Sequence, residues 1–380
     1  MILKSLKYTR FEGEPRQWKI IGKDNRFAEF GNLNLLVGKN ASGKSRTLTV
    51  IRNIADLFAG RTTIDEASYP SEKFELIFGN ESETYEYYLS YKRREIEEEV
   101  LIYNGKEVLN FQQGKINNEN IAFDNNKKLA IRQKDTFGDY YFRPLVEWGM
   151  NLKNFLFSDQ LEKNHLAKDY KSIEKRDGSS EYVGLLIYNF NKGLETFGES
   201  FITDIKNCMT QLGYSISDIQ LKETKRGYEL VVEEYGLYKI SQREMSQGMF
   251  RALAFFIQLT YACMSKYSLC VLFDDIGEGL DYDRARDFIS IFIRKVNNSN
   301  MQFFMTTNDR NVMNKIPLKY WSIIDRNKDE SIFYNYNNSK DVYEDFKYTG
   351  LNNFDFLATD FYKNGFSENP DDEIDIEIED

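Results

Sequence analysis

The sequence predicts an α/β protein with a mixed central sheet flanked by helices, a β-rich lobe and a helical insertion. A buried strand over 33–37 leads into a glycine loop and then into an amphipathic helix. A second apolar run, 269–273, ends in two carboxylates and is typical of a parallel strand buried on both faces. Segments of alternating polarity lie before and between these two stretches, and they predict further strands.

The glycine loop, residues 38–45, reads Gly-Lys-Asn-Ala-Ser-Gly-Lys-Ser and fits the phosphate-binding pattern G-x-x-x-x-G-K-[ST]. Its glycines let successive backbone N–H groups face phosphate oxygens, and the following helix points its positive end at the same anion. Lys44 is predicted to bridge the β- and γ-phosphates, and Ser45 to place its hydroxyl on Mg²⁺. The predicted nucleotide-binding residues are Gly38, Asn40, Ala41, Ser42, Gly43, Lys44, Ser45 and Arg46.

Composition narrows the class of protein. The chain has 380 residues, 41% of them hydrophobic, which suits two domains or one domain with an elaboration. No apolar run reaches the ~18 residues of a membrane span, and the start of the chain lacks a signal-peptide pattern. We therefore expect a cytoplasmic protein with no membrane partner. Three cysteines and one histidine argue against a disulfide framework, a zinc knuckle and a histidine-rich metal site.

The charge is concentrated at one end of the chain. The formal net charge is −10, but the last fourteen residues carry eight acidic side chains and no basic ones. The rest of the chain therefore has a net charge of −2, and its composition does not indicate a nucleic-acid binder. Binding of nucleic acid through a local basic patch stays open. The acidic tail is predicted to be disordered.

Two further stretches contain candidate catalytic and ligand-binding residues. Asp274 and Asp275 end the apolar run, and after a phosphate-binding loop this is the Walker B pattern. Asp274 is predicted to hold Mg²⁺ through its water shell, and Asp275 to orient the attacking water as the catalytic carboxylate. Upstream, Ser246 and Gly248 stand at the start of an apolar helix, whose N-terminus is a second candidate anion site.

The order of these motifs resembles that of the ABC-type P-loop ATPases, and within them the SMC, RecF and OLD-like group. This group includes AAA-family ATP-binding proteins of prokaryotic anti-phage defence. The resemblance covers residues ~1–60 and ~240–335. It implies that 246–248 form the signature motif, that Leu280 and Asp281 form the D-loop, and that 301–308 form the switch strand.

The resemblance also implies the cofactors and the assembly. ATP and Mg²⁺ would be bound between two copies of the chain that close head to tail. Lys44, Ser45 and Asp274 of one copy would then face Ser246 and Gly248 of the other. Because one γ-phosphate would bridge two helix N-termini, ATP would hold the dimer together and hydrolysis would release it.

Three positions depart from the family pattern. Asp275 stands where the family usually has glutamate, and Asn308 stands where it usually has a histidine that contacts the γ-phosphate. The signature reads Met-Ser-Gln-Gly rather than Leu-Ser-Gly-Gly. The first two departures predict slow hydrolysis, by Asp275 acting with Lys44. Glu278 is a candidate substitute base, ranked below Asp275.

Four residues are weaker candidates for contacts with the nucleotide. Tyr8, Phe11 or Trp18 could stack on the adenine, although each also fits a core position. Gln133 could sense the γ-phosphate, although its surroundings give only a weak signal. The sequence does not decide between these roles.

The residue patterns also predict the secondary structure along the chain. Residues 1–32 and 72–123 read as strands, 124–150 as irregular, 150–212 as helical with Phe155 and Leu156 included, and 214–240 as strands again. We divide the chain into five predicted regions. They are the N-terminal half of the ATPase domain (1–150), a mainly helical insertion (151–235), the C-terminal half (236–335), a C-terminal docking segment (336–366) and the acidic tail (367–380).

The chain shows no second catalytic constellation, so we expect it to act on a partner. The resemblance implies an effector protein such as a nuclease in anti-phage defence. The alternative is a RecF/SMC-like ATPase that binds DNA in repair or recombination. A transporter subunit is disfavoured by the long insertion, and a kinase or GTPase has no place for the signature motif. The aromatic stretch 348–357 fits either packing onto the body or a docking surface.

Overall fold

The computed structural model describes residues 1–116, 119–120, 126–132, 139–156, 163–168, 182–265, 270–277, 281–297 and 301–366. Three candidate residues, Gln133, Glu278 and Leu280, lie outside the described residues, as does the acidic tail. In the described part of the chain no helix is long and apolar enough to cross a membrane.

Strands and helices are numbered in chain order. The strands are β1 (Ile2–Arg10), β2 (Trp18–Gly22), β3 (Ala28–Glu29), β4 (Leu33–Val37), β5 (Glu72–Gly79), β6 (Thr84–Lys92), β7 (Glu95–Tyr103), β8 (Lys106–Asn110), β9 (Lys115–Ile116), β10 (Glu119–Asn120), β11 (Lys153–Leu156), β12 (Ile216–Thr224), β13 (Gly227–Glu234), β14 (Tyr238–Ser241), β15 (Cys270–Asp274), β16 (Gln302–Thr306), β17 (Trp321–Asn327) and β18 (Glu330–Asn335). The helices are α1 (Lys44–Ala59), α2 (Asp139–Asn151), α3 (Tyr182–Phe197), α4 (Glu199–Gln211), α5 (Gln247–Met264), α6 (Tyr282–Asn297), α7 (Arg310–Lys315), α8 (Lys340–Asp345), α9 (Asn353–Ala358) and α10 (Phe361–Asn364).

One mixed sheet organises the fold. Its strand order is β10-β9-β8-β7-β6-β5-β1-β2-β18-β17-β4-β16-β15-β11, with β3 paired to β1. The run β17-β4-β16-β15-β11 is parallel throughout. The carboxyl ends of β4, β15 and β16 therefore meet at one edge of the sheet, which brings the phosphate-binding loop next to the two carboxylates.

The predicted β-rich lobe is a continuation of this sheet. Strands β5 to β10 pair antiparallel with one another, and β5 pairs with β1. Both predicted turns join paired strands, since Gly79 ends β5 and Asn104 and Gly105 separate β7 from β8. A second sheet, β12-β13-β14, confirms the strands predicted after residue 214.

The central strands are buried on both faces, as predicted. In β4, Leu33, Leu35 and Val37 belong to a core that also takes apolar residues of α3, α4, α5 and α6. Leu36, which points the opposite way because side chains alternate along a strand, belongs to a second core with residues of α1 and α2. Helices on both sides of the parallel strands explain their continuous apolar sequence.

Helix α1 confirms the amphipathic prediction. Leu48, Ile51, Ile54 and Phe58 recur at helical spacing, and all four are buried. The helix ends at Gly60, which has a left-handed φ of 72° and caps the last carbonyls with its backbone N–H.

Two local predictions were wrong. Residues 139–151 form α2, although 124–150 looked irregular; Pro144 lies inside this helix and disturbs the pattern. Phe155 and Leu156 lie in β11 rather than in a helix. An apolar run as short as Phe155-Leu156 does not distinguish a helix from a strand, and β11 is fixed by its parallel pairing with β15.

In the predicted C-terminal docking segment, some aromatic residues pack onto the body and one is exposed to solvent. Phe356 is buried together with Tyr343, Phe346 and Tyr362 in the core that contains α5. Tyr348, in contrast, is 84% exposed. Packing therefore accounts for one part of this segment, and an aromatic surface remains on the other.

A buried carboxylate fixes the chain shortly before Gln133. Glu99 is fully buried and accepts hydrogen bonds from the backbone N–H of Ala130 (2.6 Å), the N–H of Ile131 (3.3 Å) and the Tyr87 hydroxyl (2.9 Å). Burial raises the pKa of Glu99 to about 7, although all three donors favour the ionised form.

This carboxylate predicts a pH dependence of stability. An unfolded glutamate titrates near pH ~4.3. Between that pH and about 7 the folded state binds the extra proton, so Glu99 makes stability fall as pH rises, by up to about 3 kcal/mol. We expect Glu99→Gln to lose this slope, measured as the difference in urea midpoint between pH 5 and pH 7.5. Glu97→Gln, at an exposed position, should keep it; equal slopes in wild type and Glu99→Gln would contradict the assignment.

Candidate nucleotide site

The glycine loop has a backbone that its two glycines require. Gly38 and Gly43 have φ values of 156° and 113°. A Cβ on Gly38 would lie 2.5 Å from the Ile324 carbonyl oxygen, and one on Gly43 would lie 3.0 Å from Ser331 Oγ. Any side chain would therefore displace the loop from the neighbouring strands β17 and β18. The tight turn places the loop directly at the N-terminus of α1, as phosphate binding needs.

Lys44 is folded onto the loop. Its Nζ donates to the carbonyl oxygens of Gly38 (2.9 Å) and Lys39 (3.4 Å), and the residue is buried. Burial lowers the pKa of Lys44, while the nearby Asp275 and Asp274 carboxylates act in the opposite direction. The side chain can exchange these carbonyl contacts for phosphate oxygens without crossing the site.

Ser45 and Asp274 meet across the sheet. The Ser45 hydroxyl donates to Asp274 Oδ1 over 3.0 Å, and the Thr306 hydroxyl donates to the same oxygen over 2.5 Å. A hydroxyl and a carboxylate oxygen are the hard ligands that Mg²⁺ prefers. Among the described residues no group of three or more histidine, cysteine or acidic side chains could hold a metal. The pair therefore fits an ion whose other ligands are phosphate oxygens and water, as is usual for Mg²⁺.

Asp275 is held in an unusual position by two neighbours. Its φ is 56°, a left-handed value that a residue other than glycine rarely adopts. Its backbone N–H donates to Thr306 Oγ1 (2.8 Å), and Asn308 Nδ2 donates to its carboxylate oxygen (3.3 Å). Thr306 thus connects both aspartates, a role that the sequence analysis did not assign. The only signal was a threonine at the end of an apolar strand.

The signature residues form a separate cluster. Ser246 Oγ accepts the backbone N–H of Met249 over 3.2 Å and caps α5. Tyr214 lies beside Ser246, the Arg284 guanidinium lies 4.5 Å from the centre of the Tyr214 ring, and Arg284 pairs with Asp281 over 3.0 Å. The N-terminus of α5 and the described D-loop residue therefore share one surface.

The site is divided into two parts within one chain. The first holds the glycine loop, Asp274, Asp275 and Asn308 at one edge of the sheet. The second holds Ser246 and, in the first turn of α5, Gly248. In the described part of the chain no hydrogen bond joins the second part to the first.

Residues 33–314 match the family model described as "AAA domain, putative AbiEii toxin, Type IV TA system". This match spans well over half of the sequence. The chain belongs to this AAA-domain family.

Solved structures agree with this assignment at the level of fold. An SMC head bound to the C-winged helix domain of ScpA aligns with 88% of this chain and 97% of its own length, with a TM-score of 0.54 and 14% identity. The SMC head domain from Thermotoga maritima aligns over 88% and 98%, with a TM-score of 0.46 and 16% identity. The likeness to the first of these structures shows that the chain has the fold of an SMC head, which confirms the predicted α/β fold class. No curated protein sequence is a significant match.

The aromatic candidates for base stacking are all core residues, and they precede the part of the chain that matches the family model. Tyr8, Phe11 and Trp18 are 1%, 5% and 2% exposed. Tyr8 donates to the buried Glu72, and the Trp18 indole N–H donates to Ser331 Oγ over 3.0 Å. All three rings are therefore buried, and Trp18 lies against the glycine loop, where its ring carbon Cζ2 is 3.4 Å from the position of a Cβ on Gly43.

Side chains from distant segments touch the glycine loop of the AAA domain. Arg326 donates to the Ala41 carbonyl oxygen over 3.1 Å, and Ala41 has a left-handed φ of 62°. Lys39 pairs with Asp360, in the docking segment, over 3.0 Å. Neither contact has a sequence signal, because the paired residues are 285 and 321 positions apart in the chain. The docking segment is thereby attached to the nucleotide loop.

Proposed function

We propose that this AAA-domain protein is an ATP-dependent switch. ATP binds at the glycine loop with its β- and γ-phosphates on Lys44, and Mg²⁺ lies between Ser45 and Asp274. The Ser45–Asp274 contact and the buried Lys44 ammonium support this assignment. The bound state is the signalling state, and hydrolysis ends it.

The division of the site into two parts carries the proposal. A helix N-terminus with a serine cap is a ready anion site. In this chain the N-terminus of α5 has no hydrogen bond to the loop that holds Lys44, among the described residues. A second copy, docked head to tail, would bring its Ser246 and Gly248 onto the γ-phosphate. Two ATP molecules would then hold two chains together.

Hydrolysis in this dimer is proposed to be slow. Asp275 orients the attacking water, and its carboxylate is one methylene shorter than the usual glutamate. Asn308, already in contact with Asp275, gives the γ-phosphate a neutral partner. We expect turnover well below the ~10 s⁻¹ that is typical of enzymes. Glu278 remains the lower-ranked candidate base.

The output of the switch is proposed to be an effector protein, such as a nuclease in anti-phage defence. The family description refers to a toxin–antitoxin system, and the SMC head with the higher TM-score is bound to a partner protein, ScpA. Tyr348 and Leu351 lie exposed on the docking segment, which also holds Lys39 of the loop. A partner bound to this segment would be linked to the glycine loop through the Lys39–Asp360 ion pair.

Light scattering with each nucleotide tests the switch. We expect a monomeric mass in Mg²⁺ and ADP, and twice that mass in Mg²⁺ and ATP, with the dimer decaying at the rate of phosphate release. Ser246→Ala should weaken the dimer without weakening ATP binding to the monomer, whereas Ser241→Ala, in β14, should change neither. Tight ATP binding by a chain that stays monomeric at all concentrations would contradict the proposal.

A further inference from the structure

Two arginines beside the glycine loop lie over the same aromatic ring. The Arg46 guanidinium lies 4.9 Å from the centre of the Trp18 ring, and the Arg10 guanidinium lies 5.4 Å from it. Neither forms an ion pair or a side-chain hydrogen bond within the described residues, and Arg10 Nε is buried without a partner. Burial lowers the pKa of Arg46, and the neighbouring charges of Arg10 and Arg326 lower it further. Such a cluster is suited to a planar or anionic ligand.

The sheet order shows which end of a nucleotide this cluster faces. Asp274, on β15, lies two strands from β4 on one side of the glycine loop. Trp18, on β2, lies three strands from β4 on the other side. The aspartates mark the Mg²⁺ and γ-phosphate end of the site. In the proposed ATP site, a nucleotide with its γ-phosphate at the aspartates that lay across the loop would extend its base toward Trp18 and Arg46.

Trp18 is fixed as a rigid base for Arg46. Its indole N–H donates to Ser331 Oγ, which in turn donates to the Ser42 carbonyl oxygen over 2.9 Å. Its ring carbon Cζ2 lies only 3.4 Å from where a Cβ on Gly43 would be. The Trp18 ring is therefore locked to the glycine loop, and the arginine on top of it is placed at a fixed distance from the phosphates.

A guanidinium on an aromatic ring is a known stacking surface for a base. The guanidinium plane attracts the ring below it, and its other face can stack on a nucleobase. Both arginines are partly exposed, but the Arg10 guanidinium also lies 4.6 Å from the centre of the Tyr69 ring, whereas Arg46 directly follows Ser45 at the end of the glycine loop. Of the two arginines, Arg46 is the one that offers an outer face to the nucleotide.

We propose that the base of the bound nucleotide stacks on the Arg46 guanidinium, which is layered on the ring of Trp18. The assignment rests on the proposed ATP site, and it replaces direct stacking on an aromatic side chain. The ligand class is a purine nucleoside triphosphate, whose two-ring base offers the larger stacking face. Arg10 supplies the second charge under the same ring, and Arg326 holds the loop backbone next to them.

Calorimetry with two ligands tests the stack in the full chain. ATP has the base and the phosphates, and inorganic tripolyphosphate has the phosphates alone; both are used with Mg²⁺. Arg46→Ala should weaken ATP binding about tenfold, as expected when a base loses its stacking partner, and should change tripolyphosphate binding less than about twofold. Arg46→Lys keeps the charge without the plane, so its ATP affinity should fall nearly as far.

Arg52, on the same helix, provides the matched control for Arg46. Arg52→Ala removes a guanidinium from the same helix, about 9 Å further along its axis, and should leave both affinities unchanged. Equal losses for ATP and tripolyphosphate in Arg46→Ala, restored in Arg46→Lys, would make Arg46 a phosphate ligand and overturn the stack. No loss for either ligand would overturn it as well. Wild-type protein that binds neither ligand would overturn the ATP site itself, and the stack with it.

Discussion

Replacement of Lys44 by alanine is expected to abolish ATP binding. The buried Lys44 ammonium is the cation that the glycine loop places within reach of the β- and γ-phosphates. Removal of one partner from a charge pair that is shielded from water costs ~2–5 kcal/mol, so affinity should fall at least about 30-fold. Isothermal calorimetry with Mg²⁺ and ATP measures this loss, and thermal unfolding without nucleotide checks that the variant is folded.

Lys39→Ala is the matched control for this loss. Lys39 belongs to the same loop, but its side chain is 67% exposed and pairs with Asp360. Exposed ion pairs of this kind contribute ~0–1 kcal/mol, so stability should change little and ATP affinity less than about threefold. If both variants lost ATP binding equally, the loop would act through its overall charge rather than through Lys44. If Lys44→Ala bound ATP normally, the site would be assigned wrongly.

Local motifs made much of this site predictable from sequence. The glycine loop, the strand before it and the helix after it are contiguous, so their residue pattern specifies their geometry. The same holds for the apolar strand that ends at Asp274 and for the serine that caps α5. In each case the backbone carries the chemistry, through glycine conformations and helix N-termini, and the backbone follows from short-range sequence.

Contacts between distant segments were not predictable in the same way. Thr306 connects the two aspartates only because β16 lies between β4 and β15 in the sheet. Arg10 lies near the Trp18 ring because the two residues are cross-strand partners in β1 and β2, whereas Arg46 reaches the same ring from α1. Such neighbours are set by strand order. A single sequence shows how polar and apolar side chains alternate along each strand, but it does not show the order of the strands in the sheet.

Asp275 has a left-handed backbone that is stabilised by residues on and directly after β16. A non-glycine residue at such a φ costs ~1–2 kcal/mol and persists only where its surroundings hold it. Here the Thr306 hydroxyl and the Asn308 amide hold it. The two carboxylates thus have different partners, Ser45 and Thr306 for Asp274 and Asn308 for Asp275, as expected if one aspartate serves the proposed metal ion and the other the attacking water. This separation leads to a prediction about Asp275 alone.

Asp275→Ala and Asp275→Asn are expected to bind ATP and to remain trapped as the ATP-held dimer. Lys44, Ser45 and Asp274 are unchanged in both variants, so the nucleotide and Mg²⁺ keep their ligands. The carboxylate that orients the attacking water is lost, so the γ-phosphate continues to bridge the two chains. Asparagine is the closer match, because it tolerates a left-handed φ and can keep the contact with Asn308. Dimer lifetime after dilution, followed by light scattering, should increase at least about tenfold over wild type.

The results that would contradict this prediction distinguish dimer formation from ATP hydrolysis. A monomeric Asp275→Asn protein in saturating ATP would count heavily against the head-to-tail dimer. A dimer that decays as fast as wild type would instead show that Asp275 does not position the water, and it would shift that role to Glu278. Asp275→Asn combined with Lys44→Ala should be monomeric, since no nucleotide is bound. If that double variant still dimerised, the two chains would be joined by protein surface alone, and ATP would not be the element that closes them.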